Sequence, residues 1–578
     1  MKFTLSWLKE HLQTSADPAE IAVKLTALGL EVESVEDRGR DLAPFVVGHV
    51  VEAKPHPNAD RLRICIVETG QGRVQVICGA PNARTGMKGV FAPVGSRIPG
   101  TGLELKAGLI RGVESNGMLL SMREMGLGQE HDGIIELPPE AVVGSPAAGV
   151  MGLDDPLFDV AITPDRADCL GISGIARDLA AAGVGQFKPR DLSPVPGSFE
   201  SPIRWLRDLP PGAENACPMV VGRYFRGLNN GPSPRWLQDR LSAIGLRPIS
   251  ALVDITNYVT FDLGRPLHVF DAKKLKGDLT MRLALAGEEI LALDGKTYRL
   301  DPDMVVIADA GAVHGIGGVM GGELSGCSAE TTEMFLEVAL FDRARVATAG
   351  RRLGLESDAR YRFERGVDPL SATWGAEVAA RLVLEICGGE ASRPAAAGHL
   401  PEFRRELTLR KERIMGLGGV EVPPAEARHI FQALGFEVEE QAKTLEVVVP
   451  SWRADVEGEA DLVEEILRVW GFDRIPAVSL PRLEPLPAPP TTPAQRRAVH
   501  ARRLLAERGL MEAVTFSFLR KETSKPCWQR HLPSTANICS QSSLRPPLLL
   551  LQAISTQLHH IGVPSMNVAG NSRLQYER

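Results

Sequence analysis

No stretch of the sequence is apolar for long enough to cross a bilayer. The longest candidate, around Pro546 to Ile554, falls far short of the ~18 residues a membrane helix needs. The start, MKFTLSWLKEHL, has no signal-peptide core, because Lys9, Glu10 and His11 interrupt it. Cysteine is sparse: eight scattered residues (65, 78, 169, 217, 327, 387, 527 and 539), with no CxxC and no zinc-like spacing. That excludes a disulfide scaffold and a zinc ribbon and leaves thiols suited to a reducing compartment. Aromatics are only 5%. A surplus of positive charge is also missing: 65 Lys and Arg face 72 Asp and Glu, a formal charge of -7, so no basic coat covers the whole chain. These absences predict a cytoplasmic protein without a membrane anchor. What is present is ordinary globular material. Hydrophobic residues make up 44% of 578, enough to fill several cores, and at roughly 100–200 residues per domain the length predicts about three to five domains.

The pattern changes along the chain. Asp17-Pro18-Ala19-Glu20 reads as a capped helix start, with Asp at the N-cap, Pro in the first turn and Glu three residues on; Ile21, Leu25 and Leu28 follow at helical spacing and Gly29 ends the run. From 40 to 149, short apolar stretches (Phe45-Val46-Val47, Ile64 to Val67, Val74 to Ile77) alternate with Gly, Pro and Asn turns, the pattern of a small β-barrel. Charge is segregated here. Lys54 to Arg111 holds nine Lys/Arg against three Asp/Glu, whereas Gly112 to Glu140 holds one against six. A local basic zone suits an RNA backbone, although an ordinary charged β surface reads the same way. Prolines between Pro189 and Pro211 predict a linker, as does the Pro481–Pro493 run. Residues 212–390 and 400–478 each read as α+β. From Lys521 to Arg578 only Glu522 and Glu577 are acidic, where the chain average would give about seven, and no fold is predicted there.

Four features carry chemistry. Gly315 to Glu323 (GIGGVMGGE) matches neither standard nucleotide loop, and its consecutive glycines allow close backbone approach, as a pocket wall or a plain turn. Thr256, Asn257 and His268 lie in two polar patches of an apolar region, and each alone reads as structural. Glu337 sits inside the strand pattern Met334 to Leu340; a carboxylate among such neighbours is costly without a partner. Finally Asp455 precedes Asp461, Glu464 and Glu465, and the last three share one helix face at i, i+3 and i+4. A hard cation such as Mg2+ would relieve their repulsion. A solvated acidic face at a helix N-terminus is the alternative.

In order along the chain, these segments resemble the β subunits of bacterial phenylalanine–tRNA ligases over roughly residues 1–520. The resemblance rests on the N-terminal MKFTLSWLKEHL, His56-Pro57-Asn58-Ala59-Asp60-Arg61-Leu62, Cys78-Gly79-Ala80-Pro81-Asn82, Ser115-Asn116-Gly117-Met118-Leu119, the Val253–Asp271 stretch and Gly318-Val319-Met320-Gly321-Gly322-Glu323. It continues through Arg362 to Asp368, Val449 to Glu465 and Gly471-Phe472-Asp473-Arg474-Ile475-Pro476. It implies a multidomain α+β fold. An N-terminal α+β domain (1–39 and 150–200) would carry an inserted tRNA-binding oligonucleotide-type barrel (40–149). An editing-type domain (212–390), a small α+β domain with magnesium ligands (400–478) and the start of an inactive catalysis-like domain (490–520) would follow.

The resemblance also implies a function. Two such chains and two α chains attach phenylalanine to its tRNA using ATP, with ATP and phenylalanine bound at the α-subunit site. The β chain binds tRNA and hydrolyses tyrosine wrongly attached to it. A pocket shaped for phenylalanine cannot strongly reject a side chain that only adds a hydroxyl, so a second site must read the hydroxyl. Glu337 would accept its hydrogen bond, the glycines would give the ring room, and Thr256, Asn257 and His268 would orient the terminal adenosine, the ester and a water. Asp455, Asp461, Glu464 and Glu465 would hold Mg2+ near the α interface. Asp165 and Ala167 depart from the usual Asn and Pro, and Arg360 from a usual small residue. The 521–578 tail departs altogether, as an altered or truncated reading frame would. The competing expectations are a non-catalytic tRNA-binding scaffold, or an inactive truncated product, and a free-standing hydrolase of mischarged tRNA.

Overall fold

The computed structural model describes residues 1–128, 132–479 and 491–512. The expected aberrant tail and most of the Pro481–Pro493 linker lie outside them. The chain forms two compact units, Met1–Ala477 and Val478–Arg578. Of the second, one helix is described, Pro493–Glu507, with Thr492 and Gln495 forming a capping box.

The first turns follow the sequence closely. The Asp17 carboxylate accepts from the Glu20 N–H at 2.8 Å and the Glu20 carboxylate from the Asp17 N–H at 3.0 Å, so two otherwise orphaned donors start the helix Pro18–Ala27. Strand Leu157–Ala161 lies between Lys2–Thr4 and Glu31–Glu36 in one antiparallel sheet. The intervening residues are therefore an insertion that leaves and returns to the same sheet. Within it, strands Val46–His56, Ala59–Glu68, Arg73–Cys78 and Lys88–Ala92 form an antiparallel sheet around Phe45, Val47, Val67 and Val90. Its far edge is drawn back by the Asn116 N–H, which donates to the Gln75 carbonyl at 2.9 Å.

The central region holds two sheets. Strand Glu333–Ala339 runs between Met219–Arg226 and His268–Asp271, and helices Ala251–Leu263 and Ser371–Cys387 cover this sheet. A second sheet is built from Trp205–Asp208, Leu279–Leu283, Val305–Ala308, Val313–Ile316 and Met320–Gly321. The proline-rich stretch before it is not a free linker. Trp205–Asp208 pairs in parallel with Leu279–Leu283. Upstream, the Arg223 guanidinium donates to the Val195 carbonyl at 2.9 Å, and Arg381 donates to the carbonyls of Asp191 and Ser193. Proline removes N–H donors but leaves carbonyls, and arginine side chains satisfy those carbonyls here. The small C-terminal fold of the first unit sets helices Lys411–Gly418, Pro424–Leu434 and Glu459–Trp470 on a sheet of Arg405–Arg410, Thr444–Val449 and Glu437–Glu440. None of the described helices is long and apolar enough to cross a membrane.

Candidate functional site

Strand register builds the first site. Glu337 lies directly opposite His268 on one side and Gly222 on the other. The glycine run turns back on itself nearby: Val313–Ile316 pairs with Met320–Gly321, and Gly318, at φ 70°, closes the turn. Glycine is required at two of these positions. A Cβ on Gly321 would lie 2.3 Å from His268 Cε1, and one on Gly318 would lie 2.9 Å from Val346 Cγ2. The absent side chains leave a cavity of about 70 Å³ that Glu337, His268, Gly315, Gly321, Met320 and Phe363 help to line. It is half the roughly 150 Å³ that takes a benzene ring, so an aryl group enters only if the lining moves, and unbranched Met320 is the side chain best able to do so.

The electrostatics set this cavity apart. Glu337 is 6% exposed, and its carboxyl makes no hydrogen bond with any described residue. Burial pushes its pKa up to about 8; the Arg265 guanidinium opposes that rise without cancelling it. Arg265 is itself fully buried. It donates to Ser371 Oγ at 3.1 Å and to the Ala339 carbonyl, and burial lowers its pKa to about 10. The His268 pKa is held down to about 4 by burial and by nearby His314, and its Nε2 is buried without a hydrogen-bond partner among the described residues. At neutral pH the cavity thus holds a neutral acid and a neutral imidazole, both with unused polar capacity.

Of the four residues expected to act here, Glu337 and His268 meet across one ladder. Thr256 and Asn257 are on the covering helix, outside the cavity lining, and the Thr256 hydroxyl donates to the Val253 carbonyl at 2.7 Å. Arg265 does not stand out in the sequence pattern. Its one signal is its place directly before Pro266-Leu267-His268, since a buried acid needs a countercharge. Arg360, the expected departure, fits because Gly350 faces it: a Cβ there would lie 2.2 Å from the Arg360 Nε.

The acidic helix Glu459–Trp470 tells a different story. Glu465 is buried and held by two guanidiniums, Arg453 and Arg468, the latter at 2.7 Å. They keep its carboxyl far below the usual range although burial opposes ionisation. Asp455 is bidentate to Arg453 at 2.9 and 2.6 Å. Arg468 reaches on to Asp178 at 2.8 Å, and Arg166 binds both Asp178 and Asp168, with Arg177 completing the set. Four arginines (166, 177, 453, 468) thus face four carboxylates (168, 178, 455, 465), a neutral buried network joining the small domain to the 150–200 segment. Asp461 caps its helix, accepting from the N–H groups of Glu457 and Gly458 at 2.8 and 2.9 Å. Only Glu464 is uncommitted. Burial, then the carboxylates of Glu465, Asp165 and Asp461, raise its pKa. Among the described residues no three of Asp455, Asp461, Glu464 and Glu465 bring their oxygens within 4.8 Å of one another. The expected ligand set therefore fits an ion only in part, at Glu464. Asp168, Cys169 and Asp178 do converge, but arginines occupy both carboxylates.

In the inserted region, Arg61, Arg63, Arg97, Lys106 and Arg111 are exposed and make no ion pair among the described residues. Lys54, Arg73 and Arg84 are paired to Glu52, Glu68 and Glu136.

Three family models match the chain: a putative tRNA binding domain over residues 45–146, a B3/4 domain over 216–388 and a tRNA synthetase B5 domain over 407–472. The chain is 56% identical over 527 residues to the phenylalanine–tRNA ligase beta subunit of Rhodospirillum rubrum, covering 91% of this chain and 66% of that one. It is 53% identical to the subunit of Paramagnetospirillum magneticum, covering 90% and 65%. It is 52% identical over 565 residues to that of Novosphingobium aromaticivorans, covering 97% and 70%. The chain thus spans about two-thirds of the length of these relatives.

The raised pKa of Glu337 makes a signed prediction. Below about 4.5 both folded and unfolded states hold the proton. Between about 4.5 and 8 only the folded state does, so stability falls as pH rises through that window, by about 1.4 kcal/mol for each pH unit crossed, and then levels. His268 acts in the other direction, adding stability as pH rises from about 4 to 6.5. Urea midpoints of the wild type and Glu337→Gln should diverge in favour of the variant from about pH 5 to 8.5. Parallel curves would mean that Glu337 is solvated.

Proposed function

We infer the function from a premise its relatives supply: the chain belongs to the family of phenylalanine–tRNA ligase beta subunits. It takes part, with α chains in an α2β2 assembly, in the ATP-dependent attachment of phenylalanine to tRNA in the cytoplasm. ATP and phenylalanine bind the α chain. This chain binds tRNA through the barrel of residues 40–149, a reading supported by the match to a tRNA binding domain and by five exposed basic side chains without an ion pair among the described residues. Its Glu337 cavity hydrolyses tyrosyl-tRNA. The observation that carries this reading is a buried carboxyl with no hydrogen bond among the described residues, set in register with His268 above a glycine turn.

The selectivity follows from that carboxyl. A tyrosine hydroxyl gives the Glu337 oxygen the partner it lacks, whereas a phenylalanine ring covers the oxygen and leaves it unsatisfied. The difference falls on the correct product, which is rejected. His268, neutral and with Nε2 unpartnered, positions a water against the ester. Thr256 and Asn257, on the adjacent helix, orient the terminal adenosine. No side chain need act as a nucleophile. Tyrosyl-tRNA hydrolysis by the chain should fall at least tenfold in Glu337→Ala and in His268→Ala; hydrolysis no faster than the uncatalysed rate in the wild type would remove the editing role and leave a tRNA-binding scaffold.

Magnesium, where bound, would supply positive charge at Glu464, with Asp461 beside it. Asp455 would join only by releasing Arg453, and Glu465 only by releasing both Arg453 and Arg468. Asp461→Asn combined with Glu464→Gln should lower Mg2+ retention after gel filtration, and unchanged retention would retire the site.

A further inference from the structure

A second recess, about 310 Å³, lies between the helix Arg343–Leu353 and the turn at Asp303 and Met304. The helix reads RARVATAGRRL, four arginines and no acid. Its inner residues Val346, Ala349 and Gly350 are buried, and Val346 meets the glycine turn of the Glu337 cavity. One helix therefore backs the cavity and lines the recess. Arg345 and Arg352 face the recess with Thr348. Arg345 donates to the Asp303 carbonyl at 3.0 Å, which leaves its charge uncompensated. Arg352 stands 3.3 and 3.5 Å from Asp301 and Asp303, and the Asp303 side chain is 74% exposed. Such solvated pairs are weak and easily exchanged for a better anion. Arg343 and Arg351 are exposed and make no ion pair among the described residues.

The next helix, Asp358–Phe363, adds an aromatic surface. It sends Ala359 and Phe363 into the Glu337 cavity. Tyr361, from the same helix, is 40% exposed with the Arg365 guanidinium 3.6 Å from its ring centroid. Guanidiniums without fixed partners suit phosphate, and an exposed ring suits a base. An acidic peptide would use the arginines but has no use for the ring.

We propose that these two helices bind the single-stranded RNA segment that carries the aminoacyl ester, with its phosphates along Arg345, Arg351 and Arg352 and a base on Tyr361, so that the ester reaches the Glu337 cavity. This deepens the editing role and rests on it. The test uses the full chain, a fluorescent single-stranded ribotetranucleotide with a free 3′ hydroxyl, and oligoglutamate as competitor. Arg351→Gln with Arg352→Gln should weaken RNA binding about tenfold and reduce the slope of log affinity against log salt by about 1.4, two phosphate contacts' worth. Tyr361→Ala should weaken binding to a similar degree, about tenfold, with the slope unchanged. All three side chains are exposed or half-exposed, and an unchanged urea midpoint confirms folding. Affinity and slope equal to wild type in both variants, or tighter binding of oligoglutamate than of RNA, would overturn the proposal. Failure of the editing role is separable. If the wild type does not hydrolyse tyrosyl-tRNA but the RNA effects hold, this surface stands and that role falls. If hydrolysis is present with an unchanged KM in the arginine double variant, the reverse is true.

Discussion

A carboxyl that is nearly buried and makes no hydrogen bond with any described residue governs the central region. Glu337 stands in the middle of a strand whose neighbours are Leu336 and Val338, both buried. Its proton remains at neutral pH because ionising there would require a countercharge closer than Arg265 provides. Everything around it keeps that condition. Gly222 faces it across the ladder because a Cβ there would strike the Trp205 indole at 2.3 Å, and the Trp205 and Phe335 rings close the space behind. Gly321 makes way for the His268 ring on the other side. The environment is dry enough to leave polar atoms unsatisfied, and such atoms are what can tell a phenol from a phenyl ring.

The same balance of burial against pairing is resolved the opposite way elsewhere. Asp262, equally buried, receives Trp7 Nε1 at 2.8 Å, His11 Nε2 at 2.6 Å and Arg190, and its pKa falls below the usual range although burial opposes it. Glu465 is likewise held ionised by Arg453 and Arg468, and Asp178 is paired with Arg166 and Arg468. Those carboxylates fasten segments far apart in sequence: the first helix to the helix Ala251–Leu263, and the small domain to the 150–200 segment. Removing one partner from such a network leaves a stranded charge, at a cost of about 3–5 kcal/mol. Glu337, by contrast, has no fastening role. Among the described residues the other buried acids are paired or hydrogen-bonded, and that contrast singles out Glu337.

Much of this is legible in the residues. The helix cap at Asp17, the strands around Val47, Ile66 and Val76, and the unusual place of Glu337 all follow from local pattern. The proximity of Glu337, His268 and the glycine turn is legible only through the family resemblance, because sheet register is not written in any one strand. Two features of the fold are hidden from the sequence for identifiable reasons. The proline-rich stretch before Trp205 looks like a linker because its composition conceals the arginine side chains, distant in sequence, that hold its carbonyls. Asp455 and Glu465 look like free metal ligands because Arg453, Arg468 and Asp178 meet them only after folding; Glu464 alone keeps the openness that the spacing suggests.

The protonation state of one side chain is the claim on which the editing account stands. Infrared difference spectroscopy between wild type and Glu337→Gln reads it directly, through the carbonyl stretch of a protonated carboxyl. The account predicts that this band is present at pH 7 and disappears with a midpoint near 8. A band already lost by about pH 5, the ordinary range of a solvated glutamate, would contradict it.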